Sequence, residues 1–299
     1  MNNLFLILVS SLLALPLHAN EIALTFDDAP RGDELIYSGV ERTQKIIDVL
    51  KQHGIQTMFF VNTNRFPHAK GAERIAAYSK AGHLIANHTH SHLQLKDAPV
   101  KAFLEEIDRA DKLLRPFPTF RPWFRFPNLG EGTSVEIRDH VRNHLKQKGY
   151  RNGYVTVDNH DYFIDDQVQA ALKNGQKVNL DKACEMLADI MWDGIKFYDE
   201  VAQKHLGPVR HVLLMHENDI EAHCLDKLIS HIHAKGWKVI SPEAAFSDPV
   251  LKNEPDTLYL NQGRIAAIAH AKTGIKYISP WLSGGALKTE FEKRQIVEK

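Results

Sequence analysis

Short apolar runs rich in β-branched and aromatic residues alternate along this chain with longer stretches of helical period. Runs at 22–26, 56–62, 84–87, 123–126, 154–157, 211–215 and 237–240 have strand length. Between them, segments at 39–53, 71–81, 98–115, 134–148, 179–205 and 220–235 space their apolar residues as one face of a helix. That alternation predicts an α/β fold in which crossover helices cover a parallel sheet. Gly54, Gly82, Gly149 and Gly236 each stand between a helical stretch and the next strand, where a helix end calls for a left-handed residue. The recurrence points to a repeated β/α unit. A chain of 299 residues leaves room for two ordinary domains or one large barrel.

Two regions depart from the repeat. Residues 163–205 form a long, partly helical excursion, and 247–299 continue past the last expected strand. Either could shape a cleft or pack on the outside; no Gly/Ser linker or charge block marks a boundary near them. The composition is that of a folded globular protein, 43% hydrophobic and 25% charged. Lysine plus arginine balance aspartate plus glutamate at 37 each, so no basic surface for nucleic acid is expected. The apolar run 4–17 is shorter than the roughly 20 residues that cross a bilayer, and it ends in Leu17-His18-Ala19 before the polar Asn20-Glu21. Residues 1–19 read as a signal peptide, although no Lys or Arg precedes the run; an uncleaved interfacial anchor is the alternative. The mature chain is then expected outside the cytoplasm, periplasmic or secreted, with no transmembrane helix. Cys184 and Cys224 lie in helix-like segments and are expected as small buried hydrophobes, with pairing left open.

The candidate chemistry collects at the carboxyl ends of the expected strands. The run 22–26 delivers Asp27-Asp28, two adjacent carboxylates that need a cation or an arginine to coexist. The run 84–87 delivers His88-Thr89-His90-Ser91-His92. In a helical turn, His88 and His92 would share a face and could hold one metal, with His90 pointing elsewhere. No glutamate follows His88, so the segment carries no general base of its own, and Asp28 is a suitable third, hard-oxygen ligand. Arg125-Phe126-Pro127 could bring a guanidinium to the paired carboxylates. Asp158-Asn159-His160-Asp161-Tyr162 follows the run 154–157, and the run 211–215 delivers His216.

Taken in order, these segments resemble the motifs of the polysaccharide deacetylases with a NodB-homology domain, carbohydrate esterase family 4. Thr25-Phe26-Asp27-Asp28 is similar to the first motif and His88 to His92 to the second. Arg125-Phe126-Pro127, Asp158 to Tyr162 and Leu214-Met215-His216 are similar to the third, fourth and fifth. The resemblance spans residues 22 to about 240. It implies a distorted (β/α) barrel of about seven strands, with the deacetylase domain at 20–246, an insertion at about 163–205 and a C-terminal extension at 247–299. It also implies one divalent transition metal, zinc or another first-row ion such as cobalt, held by Asp28, His88 and His92. Asp27 would be the catalytic base and His216 the acid, Arg125 would support the base, and Asp161 would hold the histidine. Pro127, Tyr162 and Trp123 are the expected substrate contacts.

The expected reaction is removal of acetyl groups from an N-acetylglucosamine-type polysaccharide or oligosaccharide. A water activated in the open position left by three protein ligands would attack, and a histidine acid suits a departing amine. Hydrolysis of a small non-peptide amide, or a lapsed glycan- or metal-binding role, are the alternatives. The chain departs from the pattern at Ala29, where the family has glycine. It departs again at Asn128 and Leu129, which replace an aromatic and a glycine, and at Tyr162, which replaces a tryptophan. These changes alter the cleft walls more than the reacting groups.

Overall fold

The computed structural model describes residues 20–252 and 254–298; the expected leader at 1–19 lies outside them. The central strand β1 (Glu21–Ala29) is buried along nearly its whole length, as an apolar run without alternation must be when helices cover both faces of a parallel sheet. With it run β2 (Met58–Val61), β3 (Leu84–Asn87), β4 (Phe120–Phe124), β5 (Arg151–Asn152), β6 (His211–His216) and β7 (Lys238–Val239). The sheet order is β5-β4-β3-β2-β1-β6, every pairing is parallel, and β7 joins the start of β1. Wrapped by helices, this seven-stranded sheet makes the half-barrel of a distorted (β/α) fold.

The helices are α1 (Gly39–Gln52), α2 (Gly71–Lys80), α3 (Val100–Leu114), α4 (Val135–Gln147), α5 (Asp161–Lys173), α6 (Leu180–His205), α7 (Asp219–Ala234), α8 (Pro242–Phe246), α9 (Gly263–Thr273) and α10 (Gly284–Lys293). Gly54, Gly82, Gly149 and Gly236 all take positive φ between a helix and the strand after it. Residues 154–157 do not form the expected strand. Val157 alone bridges to Leu213, because the Thr156 hydroxyl accepts the Val212 N–H at 2.7 Å and the segment's other edge is taken by the Arg264 N–H on Val155 O at 2.6 Å. The excursion at 163–205 resolves into the rest of α5 and all of α6. α9 packs on α6, and α10 on α5 and α6. Among the described residues, no helix is long and apolar enough to cross a membrane.

Cys184 on α6 and Cys224 on α7 are buried, as expected, and the pairing left open by the sequence is made: the two are joined in a disulfide. The bond ties two packed helices across a separation of 40 residues. Closing a loop of that length in the unfolded chain is worth up to about 4 kcal/mol. Replacing both cysteines by alanine is therefore expected to lower the unfolding free energy by about 2 to 4 kcal/mol in a denaturant titration. An unchanged midpoint would remove this role from the bond.

Candidate active site

The register of the sheet assembles the site. Asp27, near the end of β1, lies directly beside His216, the last residue of β6. β3 pairs with β2 and β4, so the loops after it and after β4 open over the same rim. A cavity of about 440 Å3 sits there, lined by Asp27, Asp28, His88, His92, Asp158 and His216 among others.

Arg125 lies beneath Asp27 and is fully enclosed. Its Nη1 donates to Asp27 Oδ1 at 2.6 Å and to the Thr25 hydroxyl at 2.9 Å, and its Nε donates to Gly153 O at 2.7 Å. The guanidinium also stacks over the Phe60 ring at 3.8 Å. One Asp27 oxygen is thus anchored, while Oδ2 stands 3.7 Å from His88 Nε2.

His88 and His92 converge, but not as the expected pair on a helical face. The segment is a loop in which Thr89 and His92 take φ of 69 and 61°. The Asn62 side chain donates to His88 O at 2.5 Å, and Asn87 Oδ1 accepts the Thr89 N–H at 2.9 Å, so side chains fix this turn in place of helical hydrogen bonds. The two rings lie 5.0 Å apart. His90 turns away to the Thr63 hydroxyl at 2.8 Å.

His88 Nδ1 donates to Arg125 O at 2.8 Å, which leaves Nε2 with its lone pair toward the cavity. Burial is the main reason that its pKa is lowered to about 4, so the ring is neutral. Asp28 Oδ1 is buried and accepts no hydrogen bond, while His92 Nε2 and His88 Nε2 stand 3.5 and 3.8 Å from it. Burial alone would raise the Asp28 pKa, but His92, His216, His88 and Arg65 together hold it well below the usual carboxylate range. An ionised carboxylate with an orphaned oxygen, facing two imidazole nitrogens, is a donor set that fits a divalent transition ion.

Across the cavity, His216 Nδ1 donates to Asp161 Oδ1 at 2.6 Å, and the His216 backbone N–H donates to Asp161 Oδ2 at 2.7 Å. Asp161 opens α5, where the helix N-terminus favours its charge. Burial opposes the His216 cation, but the Asp161 carboxylate outweighs it and raises the pKa to about 9. Because the folded value lies above the ordinary one, the stabilisation is complete below about pH 6.5 and fades as pH rises through about 9. In protein stripped of divalent ions, an NMR titration of His216 is expected to centre near 9 and to fall in Asp161→Asn. An ordinary histidine midpoint in the unmodified chain would contradict the pairing.

The substrate contacts expected from sequence fare unequally. Tyr162 lines the cavity edge-on to His216, with ring centroids 5.6 Å apart. Pro127 is buried behind Asn128 and Leu129, which supply the wall instead. Trp123 does not reach the site; it stacks on Phe246 at 4.3 Å and lines a separate cavity.

Sequence reasoning missed Asn261 and Gln262, which enter the wall from the loop before α9. Gly263 allows this close approach, since a Cβ there would lie 2.9 Å from Val155 O. Asp158 was noticed in sequence but given no role. It faces the cavity, and burial raises its pKa to about 7. Beyond His216, Glu217 accepts from Arg74 Nη2 at 2.6 Å and from the Tyr78 hydroxyl at 3.0 Å, and Asp219 accepts from Arg42 Nη1 at 2.8 Å. This buried network fixes the loop after β6.

A half-barrel with Asp, His and His on one side of its rim and a His–Asp pair on the other defines a candidate metal-dependent hydrolase. The comparisons bear on the hydrolase part of that class. Residues 15–153 match the model of the polysaccharide deacetylase family. Over 119 residues the chain is 35% identical to a peptidoglycan-N-acetylglucosamine deacetylase of Bacillus cereus, a match covering 39% of this chain and 38% of that one. The chain thus spans well under half the length of this curated relative. Among solved structures, a peptidoglycan N-acetylglucosamine deacetylase superposes with a TM-score of 0.52 at 22% identity, over 80% of this chain and 92% of that one. A CE4 family pseudoenzyme from Bacillus anthracis superposes with a TM-score of 0.50 at 15% identity, over 77% and 66%. The matched region is therefore related to the polysaccharide deacetylases, and the fold is that of the CE4 structures.

Proposed function

We propose that the protein is a metal-dependent deacetylase that releases acetate from an N-acetylated glycan of the N-acetylglucosamine type. One of its structural neighbours is described as a pseudoenzyme, so the fold alone does not decide for activity. The observation that carries the reading is the placement of Asp27 on Arg125 and of His216 on Asp161 around one cavity, beside the Asp28–His88–His92 set. A metal binder has no use for a supported base and a supported acid at the same rim.

A divalent ion held by Asp28, His88 and His92 would supply Lewis-acid polarisation and a water of lowered pKa. The chain's own groups do the proton work. Asp27, oriented by Arg125 through one oxygen, takes a proton on the other from the water that attacks the acetyl carbonyl. His216, kept cationic by Asp161, gives its proton to the departing amine nitrogen. Tyr162, Asn128 and Leu129 are proposed to touch the sugar, and Trp123 is left out of that set. In this reading residues 20–246 form the deacetylase domain, with 163–205 inserted and 247–299 extending it. A glycan of this class lies outside the cytoplasm, which accords with the leader expected at 1–19.

The test is acetate release from N-acetylglucosamine oligomers and peptidoglycan fragments, by protein stripped of metal and then reconstituted with zinc or cobalt. Metal-dependent acetate is expected. A fully loaded site with no acetate would move the reading to a small amide or to a lapsed binding role, which amine release from small amides then separates.

A further inference from the structure

Glu221 is the buried ionisable group for which the proposed mechanism has no use. It sits in the first turn of α7, with no exposed surface, and its backbone N–H is taken by the Asn218 side chain at 2.7 Å. Both of its carboxyl oxygens are buried, and no N–H or O–H group of the described residues reaches either one. The group within hydrogen-bonding reach is the Asp161 carboxylate, and Asp165, also on α5, is the next to act on it. Asp161 is committed to its charge, since each of its oxygens accepts an N–H from His216. Two carboxyl groups in contact inside a protein do not both ionise without a cation between them; one proton shared across the contact turns repulsion into a strong hydrogen bond.

We propose that Glu221 is a positioning residue held as a neutral carboxylic acid, donating its proton in a hydrogen bond to Asp161 and so completing a buried His216–Asp161–Glu221 chain behind the cavity. Burial, reinforced by Asp161 and Asp165, pushes the Glu221 carboxyl well above its ordinary range, in agreement with this assignment. The consequence lies in how firmly His216 keeps its proton. A donor behind Asp161 draws off part of its negative charge, so the imidazolium is oriented by a carboxylate weakened enough to let the proton go. Asp161 left without that donor would hold the proton harder.

The role in catalysis rests on the deacetylase reading, whereas the position of the proton does not. Glu221→Gln keeps an N–H donor of the same shape, and Glu221→Leu removes it at similar volume. In the metal-loaded enzyme, Glu221→Leu is expected to lower kcat about tenfold, in the range of losing an outer hydrogen bond to a reacting group. KM should not change, and the alkaline limb of the pH profile should move upward. Glu221→Gln should restore most of kcat. Independently of turnover, the infrared difference between the unmodified protein and Glu221→Gln should show the carbonyl stretch of an un-ionised carboxylic acid. A carboxylate band in its place would overturn the assignment, as would a Gln variant no better than Leu when both melt like the parent protein. If the parent protein released no acetate at all, the deacetylase reading would fall, and the infrared band would still decide where the proton sits.

Discussion

Protein carrying His88→Ala is expected to lose its metal on dialysis, with affinity reduced more than about 100-fold, beyond what loss of an outer hydrogen bond costs. The reason lies in how completely the structure commits this ring. Nδ1 is spent on Arg125 O, burial keeps the ring neutral, and Nε2 faces both Asp28 and Asp27. No rearrangement is needed for it to bind, so removing it discards a preformed ligand and leaves only Asp28 and His92. His90→Ala, two residues on, is the matched control. Its ring contacts Thr63 away from the cavity, and its metal content should equal that of the parent protein. Metal analysis after dialysis, together with a titration calorimetry isotherm, separates the two. Full occupancy in His88→Ala would mean that the ligand set has been chosen wrongly.

The candidate ligands could be proposed from sequence because each stands at or just after a strand end, and the sheet register converts that position into a place on one rim. The geometry between them was not. His88 and His92 are separated as a helical pair would be, yet Asn62 and Asn87, both from the strand ends, bind the loop backbone at His88 and Thr89, and Thr89 and His92 take positive φ. Spacing reported that the rings could meet and gave the wrong path.

Trp123 fails for a related reason. It stands two residues before Arg125, about 6.6 Å deeper along an extended chain, where Phe246 from α8 covers it. A local motif says which face a side chain takes, and the layer it reaches depends on what the rest of the barrel brings. Asn261 and Gln262 were illegible because the Gly263–Val155 contact that carries them to the cavity joins segments more than 100 residues apart. Glu221 was not singled out in sequence, since an acidic residue in a helical first turn is ordinary, stabilised by the helix N-terminus. Nothing local shows that it turns inward to Asp161.

The last expected result separates catalysis from metal holding. In Asp27→Asn the side chain keeps its shape and can still accept from Arg125 through its amide oxygen, but it cannot take a proton from water. Acetate release should fall by about 100- to 10,000-fold, the usual contribution of a general base, while metal content stays at the parent level because Asp28, His88 and His92 are intact. A second effect accompanies the first. Arg125 is fully buried, and Asp27 is the carboxylate it touches, at 2.6 Å. Neutralising that partner leaves a charge inside the protein supported by the Thr25 hydroxyl, Gly153 O and the Phe60 face. Breaking a buried pair from one side costs about 3 kcal/mol, so the variant should also unfold at lower denaturant. Activity must therefore be read where the variant is still folded. Turnover lost with metal and fold retained would identify Asp27 as the base. Turnover kept would assign that proton to another group at the rim, and Asp158, which burial brings to a pKa of about 7, is the carboxyl group to test next.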